Sequence, residues 1–341
     1  MCGYTFPFFL LSDIVFLYKQ EGRISHIMVL VLQLLIVGLA TGAIYALIAL
    51  GYTMVYGIIE LINFAHGDIF MIGTFVSLTF LNLLGIVPGS VYPTGFALVL
   101  VLIATFIVSM LVCALLGVLI ERVAYRPLRN APRLAPLISA IGVSLILEDV
   151  GKLWKGDNNI PFPQIFLANN YFSVGPIAFR EMNIFVFVVA IVLMVALQWL
   201  ITRTKMGRAM RAVAQDREAA ALMGVNVDRI ISFTFFIGAA LAGAAGFIYA
   251  LNNGGTIFTI GFNLGLIAFT AAVLGGIGNI VGAMLGGLLI GVIESWATLI
   301  PSSILPHGGD AWSRAIIFGI LILILVFRPS GLLGQQTPDK V

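Results

Sequence analysis

Charge is scarce in this sequence. Of 341 residues, 10% are Asp, Glu, Lys or Arg against 60% hydrophobic, and the mean hydropathy is +1.10. That balance excludes an ordinary water-soluble domain. Cysteine is scarcer still: Cys2 lies at the N-terminus and Cys113 inside an apolar run, which supports neither a disulfide framework nor a thiolate metal cluster. The three histidines, His26, His66 and His307, are scattered, and no catalytic constellation forms around them. No glycine-rich loop carries the Lys and Ser/Thr that would cradle nucleotide phosphates, so the chain is not expected to hydrolyse ATP itself. The run Gly275-Gly276-Ile277-Gly278 lacks that lysine and reads as a helix break or a close-packing site.

What remains is a succession of apolar runs. About 20 apolar residues cross the ~30 Å of bilayer hydrocarbon, so the sequence predicts an all-α polytopic membrane protein with about eight transmembrane or half-spanning helices. The runs fall near residues 29–50, 67–87, 95–120, 135–151, 184–202 and 231–251, then a broken pair within 264–296, and finally 312–327. Residues 1–27 stand apart as an N-terminal extension. Their apolar stretch is interrupted by Asp13 and lacks the basic flank and cleavage site of a signal peptide, and Met28 is an alternative start. Residues 28–334 form the membrane domain and 335–341 a tail.

Positive charge is concentrated in two short loops. Residues 121–133 hold Arg122, Arg126, Arg129 and Arg133 against Glu121 alone, and residues 203–229 hold six basic and three acidic side chains. The positive-inside rule puts both loops in the cytoplasm, with two spans between them, which is the parity required. The connector after Lys152 then faces outward. By the same parity residues 252–263 are outside and Arg328 inside, so the run 264–296 is expected to split at Gly275-Gly276-Ile277-Gly278-Asn279.

Broken backbone at membrane depth must be buried in protein or line a wet cavity. A second break is expected at residues 63–68, where Gly67-Asp68-Ile69 resembles Gly278-Asn279-Ile280. Paired interruptions of this kind mark transporter halves. Asn63, His66, Asp68 and Asn279 are therefore path candidates, with helix capping as the competing role. Glu148 and Asp149, close to Lys152 and Lys155 at a span end, read as an interfacial pair or as snorkelling groups, and Glu294 as a group near the outer interface. Gly282-x-x-x-Gly286 and Gly287-x-x-x-Gly291 read as close helix packing.

The loop 203–229 carries the most specific pattern. Met206, Met210 and Val213 recur at i, i+4 and i+7, predicting a short amphipathic helix, and Asp216 and Glu218 open a second element. Ala219 and Ala220 permit close approach of another surface, Gly224 can end that element in a left-handed conformation, and Asp228 can cap the next span.

The spacing Glu218-Ala219-Ala220-x-x-x-Gly224 resembles the EAA loop of ABC importer permeases, although the Leu-Pro that ends the longer consensus is absent. Residues 46–59 (ALIALGYTMVYGII), 62–67 (INFAHG), 120–129 (IERVAYRPLR) and 271–278 (AAVLGGIG) are similar to the branched-chain amino acid ABC permeases, in the H-subunit branch of the Liv system. The likeness covers about residues 28–334. It implies an importer half in a bacterial inner membrane, with Arg208, Glu218, Ala219, Ala220 and Gly224 as the ATPase-coupling residues. The implied partners are a second homologous permease, two cytoplasmic ATPases that use the ATP, and a periplasmic or lipid-anchored binding protein that delivers leucine, isoleucine or valine. A urea or short-amide permease shares that architecture. An autonomous channel or ion-coupled transporter is the alternative from another class. None of these readings involves nucleic acid or a cofactor bound by this chain.

Overall fold

The computed structural model describes residues 23–129, 131–132, 134–165, 171–174 and 177–334. The extension up to residue 22 and the tail 335–341 lie outside the described residues. The first helices are α1 (Arg23–Ile59), α2 (His66–Leu83), α3 (Phe96–Ile120), α4 (Leu134–Lys155) and α5 (Glu181–Arg203). Two short helices follow, α6 (Lys205–Gln215) and α7 (Arg217–Leu222). The chain then continues through α8 (Val227–Asn253), α9 (Ile260–Gly275), α10 (Ile280–Ala297) and α11 (Gly308–Phe327). Among the described residues, eight helices are long and apolar enough to cross a membrane, and α9 is a shorter apolar helix. The protein is a multi-pass, all-α membrane protein.

Its helices are apolar on nearly every face, so burial rather than polarity separates inner from outer ones. α1, α2 and α8 are largely buried, whereas α3, α4, α5 and α11 present long rows of exposed Leu, Ile and Val. Small residues draw the inner helices together. The two glycine pairs of α10 serve two neighbours: Gly282 and Gly286 lie against Gly275 and Ala271 of α9, and Gly287 and Gly291 against Ala46 and Gly42 of α1. A Cβ on Gly291 would fall 2.2 Å from the backbone nitrogen of Gly42. Cys113 of α3 is buried where Gly73 of α2 meets Gly243 of α8.

Contacts between loops divide the bundle into two ends. At one end Arg217 reaches Ile58, Tyr125 reaches Asn63, Arg126 pairs with Asp228 and Asn279 bonds Leu333. At the other, Gln33 bonds Ala178, Trp296 bonds Val31, and the two-residue strands β1 (Ile160–Pro161) and β4 (Gly255–Thr256) pair. These groupings are the ones the loop parity requires. The first end is the basic one.

Several sequence expectations are corrected. The outward connector adds a small hairpin, β2 (Tyr171–Val174) with β3 (Ile177–Arg180), which helix periodicity could not announce. Lys152 and Lys155 lie over the rings of Phe258 and Trp154, and no ion pair to Glu148 or Asp149 forms among the described residues. Glu294 needs no such correction: it lies in the last turn of α10, at the end opposite the basic one, and accepts from the hydroxyl of Tyr45 at 2.6 Å.

The break at residues 276–279 lies at the basic end, beside Gly57 and close to the end of α1. Backbone groups of the C-terminal segment seal it: Leu332 and Leu333 donate to the carbonyls of Leu274 and Gly275. Helices instead begin inside the bundle at His66 and Ile260. His66 Nε2 lies against Gly51, eight residues or about 12 Å before the end of α1. Gly67 abuts Gly261 near the start of α9. The chain re-enters before α9 begins, since Thr256 already hydrogen-bonds Thr74 of α2 at 2.6 Å.

Candidate functional site

The loop of residues 203–229 folds as a helix–turn–helix at the basic end. Thr204 caps α6 by accepting from the Gly207 amide at 3.0 Å, and Met210 and Val213 turn inward as their spacing predicts, while Met206 of the same row is exposed. Asp216 caps α7 by accepting from the amides of Glu218 and Ala219. The helix closes in a Schellman motif: Gly224 N–H bonds the Ala221 carbonyl, Val225 N–H bonds the Ala220 carbonyl, and Gly224 takes φ +83°. The glycine reading therefore holds. Asn226, not Asp228, caps α8, accepting from the Arg229 amide; Asp228 instead pairs with Arg126 and Arg129.

Two arginines that the sequence did not single out tie this unit to the bundle. Arg217 donates to the carbonyl of Ile58 at the end of α1, and Arg211 to that of Ile201 near the end of α5. Cations at helix C-termini satisfy orphan carbonyls and complement the helix dipole. The helix ends were visible in the sequence; which cation meets them was not. Arg217 thus links α7 directly to α1.

The outward face of the unit is uncovered. Arg208, Glu218, Ala219 and Gly224 are exposed, Ala220 is buried against the bundle, and Leu222 and Met223 are 89% and 84% exposed. Two bare apolar side chains at the tip of a charged loop are costly to leave in water and suit a partner surface. Beside them a cleft of about 460 Å³ opens between residues 58–61, Arg129 and residues 213–218.

A π-turn, Glu121–Tyr125, ends α3 and turns Glu121 and Tyr125 inward. Glu121 is fully buried, paired with Arg129 and accepting from Ser232 at 2.7 Å. Tyr125 donates to Asn63 at 2.9 Å.

The path candidates separate. Asn63, His66 and Asp68 are all buried at the inner start of α2, with Asp68 accepting from Ser144 of α4. His66 meets the edge of Tyr52, ring centroids 4.8 Å apart. Asn63 Nδ2, His66 Nε2 and Asp68 Oδ1 have no hydrogen-bond partner among the described residues, nor has Thr259 Oγ1 just before α9. Sequence reasoning missed Thr259, because its place depends on the chain re-entering the bundle. Asn279 is elsewhere, capping α10 through the Gly282 amide and bonding the Leu333 carbonyl. The two Gly-polar-Ile triplets are thus not equivalent. Gly67 is helical, whereas Gly278 takes φ +94° in a turn.

The model of a permease family, the branched-chain amino acid transport system permease component, matches residues 34–325. The chain belongs to that family. The high-affinity branched-chain amino acid transport system permease protein BraD of Pseudomonas aeruginosa is 44% identical, over 91% of this chain and 98% of its own length. The corresponding permease protein LivH of Escherichia coli K12 is 42% identical over 91% of this chain and 97% of its own. No solved structure matches. The match spans α2 to α10 and most of α1 and α11, so the loop of residues 203–229 and the start of α2 lie within the shared permease region.

Proposed function

We propose that this permease is one membrane half of an ATP-driven importer of leucine, isoleucine and valine in a bacterial inner membrane. A second homologous permease completes the passage, two ATPases bind at the cytoplasmic, basic end, and an external binding protein delivers the solute. The observation that carries the reading is the exposed α6–α7 unit, anchored to α1 and α5 through Arg217 and Arg211 inside a chain of this family. ATP is bound and hydrolysed by the partners. This chain converts their closure into alternating access through α7 and α1. The unpartnered groups at the start of α2, with Thr259, mark the solute path, since intramembrane polar groups are retained where a cavity or substrate uses them.

The test is uptake of labelled leucine by proteoliposomes holding the assembled importer and its binding protein. Leu222→Asp removes apolar surface from the exposed tip and is expected to lower uptake at least about tenfold, the effect of ~1.4 kcal/mol at one contact. Its ATPase activity should no longer rise with binding protein. Gly224→Val forces a β-branched residue to positive φ, a cost of about 1–2 kcal/mol, and should act in the same direction. Unchanged coupled uptake in both variants would remove α7 from the coupling path. Uptake that needs an ion gradient but no ATPase would instead identify a secondary transporter, and competition by urea but not by valine would identify the amide branch.

A further inference from the structure

The permease carries a second cavity at its basic end, distinct from the coupling cleft. About 520 Å³ opens between the end of α3 and the start of α8, with Met206 of α6 at its edge. Its rim holds three guanidinium groups, Arg122, Arg126 and Arg229, and one carboxylate, Asp228. That carboxylate is already shared by Arg126 and Arg129. Arg122 and Arg229 have no ion pair among the described residues, and both are exposed. The cavity is therefore positive overall, with two cations available to a ligand.

Its wall has the opposite character. Phe233 and Phe236 of α8 stack at 6.5 Å, nearly parallel, and Val118 of α3 faces them. Along α3 the apolar surface continues through the exposed Leu119, Leu115 and Leu111. A charged rim at the helix ends thus leads into an apolar channel that runs along the spans. A soluble anion would use the rim and leave the wall bare, and a cation would be repelled by the rim. An amphiphile with an anionic head and hydrocarbon tails matches both.

We infer that this cavity is a binding site for an anionic phospholipid of the cytoplasmic leaflet. The phosphate sits between Arg122 and Arg229, and an acyl chain lies over Val118, Phe233 and Phe236. Basic pockets between spans on this side of a membrane commonly take such headgroups. The site joins α3, α6 and α8, so its occupant braces the base of the loop at Met206. The inference rests on the membrane topology and is independent of which solute is carried.

Native mass spectrometry of the assembled permease, purified in mild detergent and titrated with dioleoylphosphatidylglycerol or dioleoylphosphatidylcholine, tests it. The wild-type protein should hold phosphatidylglycerol in preference to phosphatidylcholine. Arg122→Gln with Arg229→Gln should weaken that binding about tenfold or more, as expected for two cations near the membrane surface. Neither residue has a salt bridge to lose among the described residues, so the helices remain in place. The control is Arg203→Gln with Arg328→Gln, which removes the same charge from exposed positions at the same end and should leave the preference intact. Equal retention of the two lipids by the wild type overturns the inference. So does an equal loss in the control, which would reduce the effect to net charge, or displacement of the lipid by millimolar inorganic phosphate, which would reduce the site to an anion-binding rim.

Discussion

Replacing Arg129 by alanine is expected to destabilise the bundle by about 3–5 kcal/mol, the cost of leaving a buried charge without its partner. Glu121 is fully buried, and its only cation among the described residues is Arg129; the other carboxylate oxygen is held by Ser232. Arg129 also holds Asp228, the first acidic residue of α8. One guanidinium therefore joins the π-turn after α3 to the start of α8, and its loss strands the buried carboxylate of Glu121, while Asp228 keeps Arg126. Denaturation of purified protein in mixed detergent micelles, followed by tryptophan fluorescence, measures the difference. Glu121→Gln keeps the hydrogen-bonding shape without the charge and should cost much less, and adding it to Arg129→Ala should recover part of the loss. If Arg129→Ala were no worse than Arg122→Ala, whose guanidinium is exposed and unpaired, the buried pair would have no structural role.

The second large effect is expected at Gly291. α1 and α10 run antiparallel with backbones in direct contact, and a Cβ there would fall 2.2 Å from Gly42 N, 2.3 Å from its Cα and 2.4 Å from the Gly38 carbonyl. These atoms are main chain in the middle of a 37-residue helix and cannot step aside as a side-chain end could. Overpacking in a close-packed interior costs about 1–3 kcal/mol and more where backbones must part, so Gly291→Leu should exceed 3 kcal/mol or prevent assembly altogether. Fluorescence-detected size exclusion reads this as loss of the monodisperse peak. Gly319→Leu on α11 adds the same side chain where nothing lies within 4 Å and should leave the peak unchanged. Equal profiles for the two variants would show that the helices are not in register as described.

Much of this architecture was legible in the chain. Apolar length located the spans, the arginines of residues 121–133 and 203–229 put both loops at one end of the bundle, and the Glu-Ala-Ala-x-x-x-Gly spacing contained the cap at Gly224. What could not be read was the identity of neighbours. In helices apolar on all sides, periodicity does not say which face is inner, so the slot for His66 at Gly51 and the hold of Arg217 on Ile58 had no local signal. Asp228 shows the same limit in reverse. Its position suits a cap, but Asn226 takes that role while two arginines about 100 residues away in sequence claim the carboxylate. The break at residues 63–68 lies inside the bundle as expected, whereas that at 276–279 lies at the basic end, and the entry of the chain at Thr256 is a tertiary event with no sequence period.

The clasp on the α9–α10 turn has a consequence in time. The carbonyls of Leu274 and Gly275 receive their donors from Leu332 and Leu333, and Asn279 gives its amide to the latter. In a chain made from its N-terminus, α9 and α10 reach the membrane ahead of residues 332–333. During that interval the turn carries open acceptors, which water at the membrane surface must hold. Maturation of this turn is therefore a late event, completed only once α11 has entered the bilayer and the segment behind it has folded back.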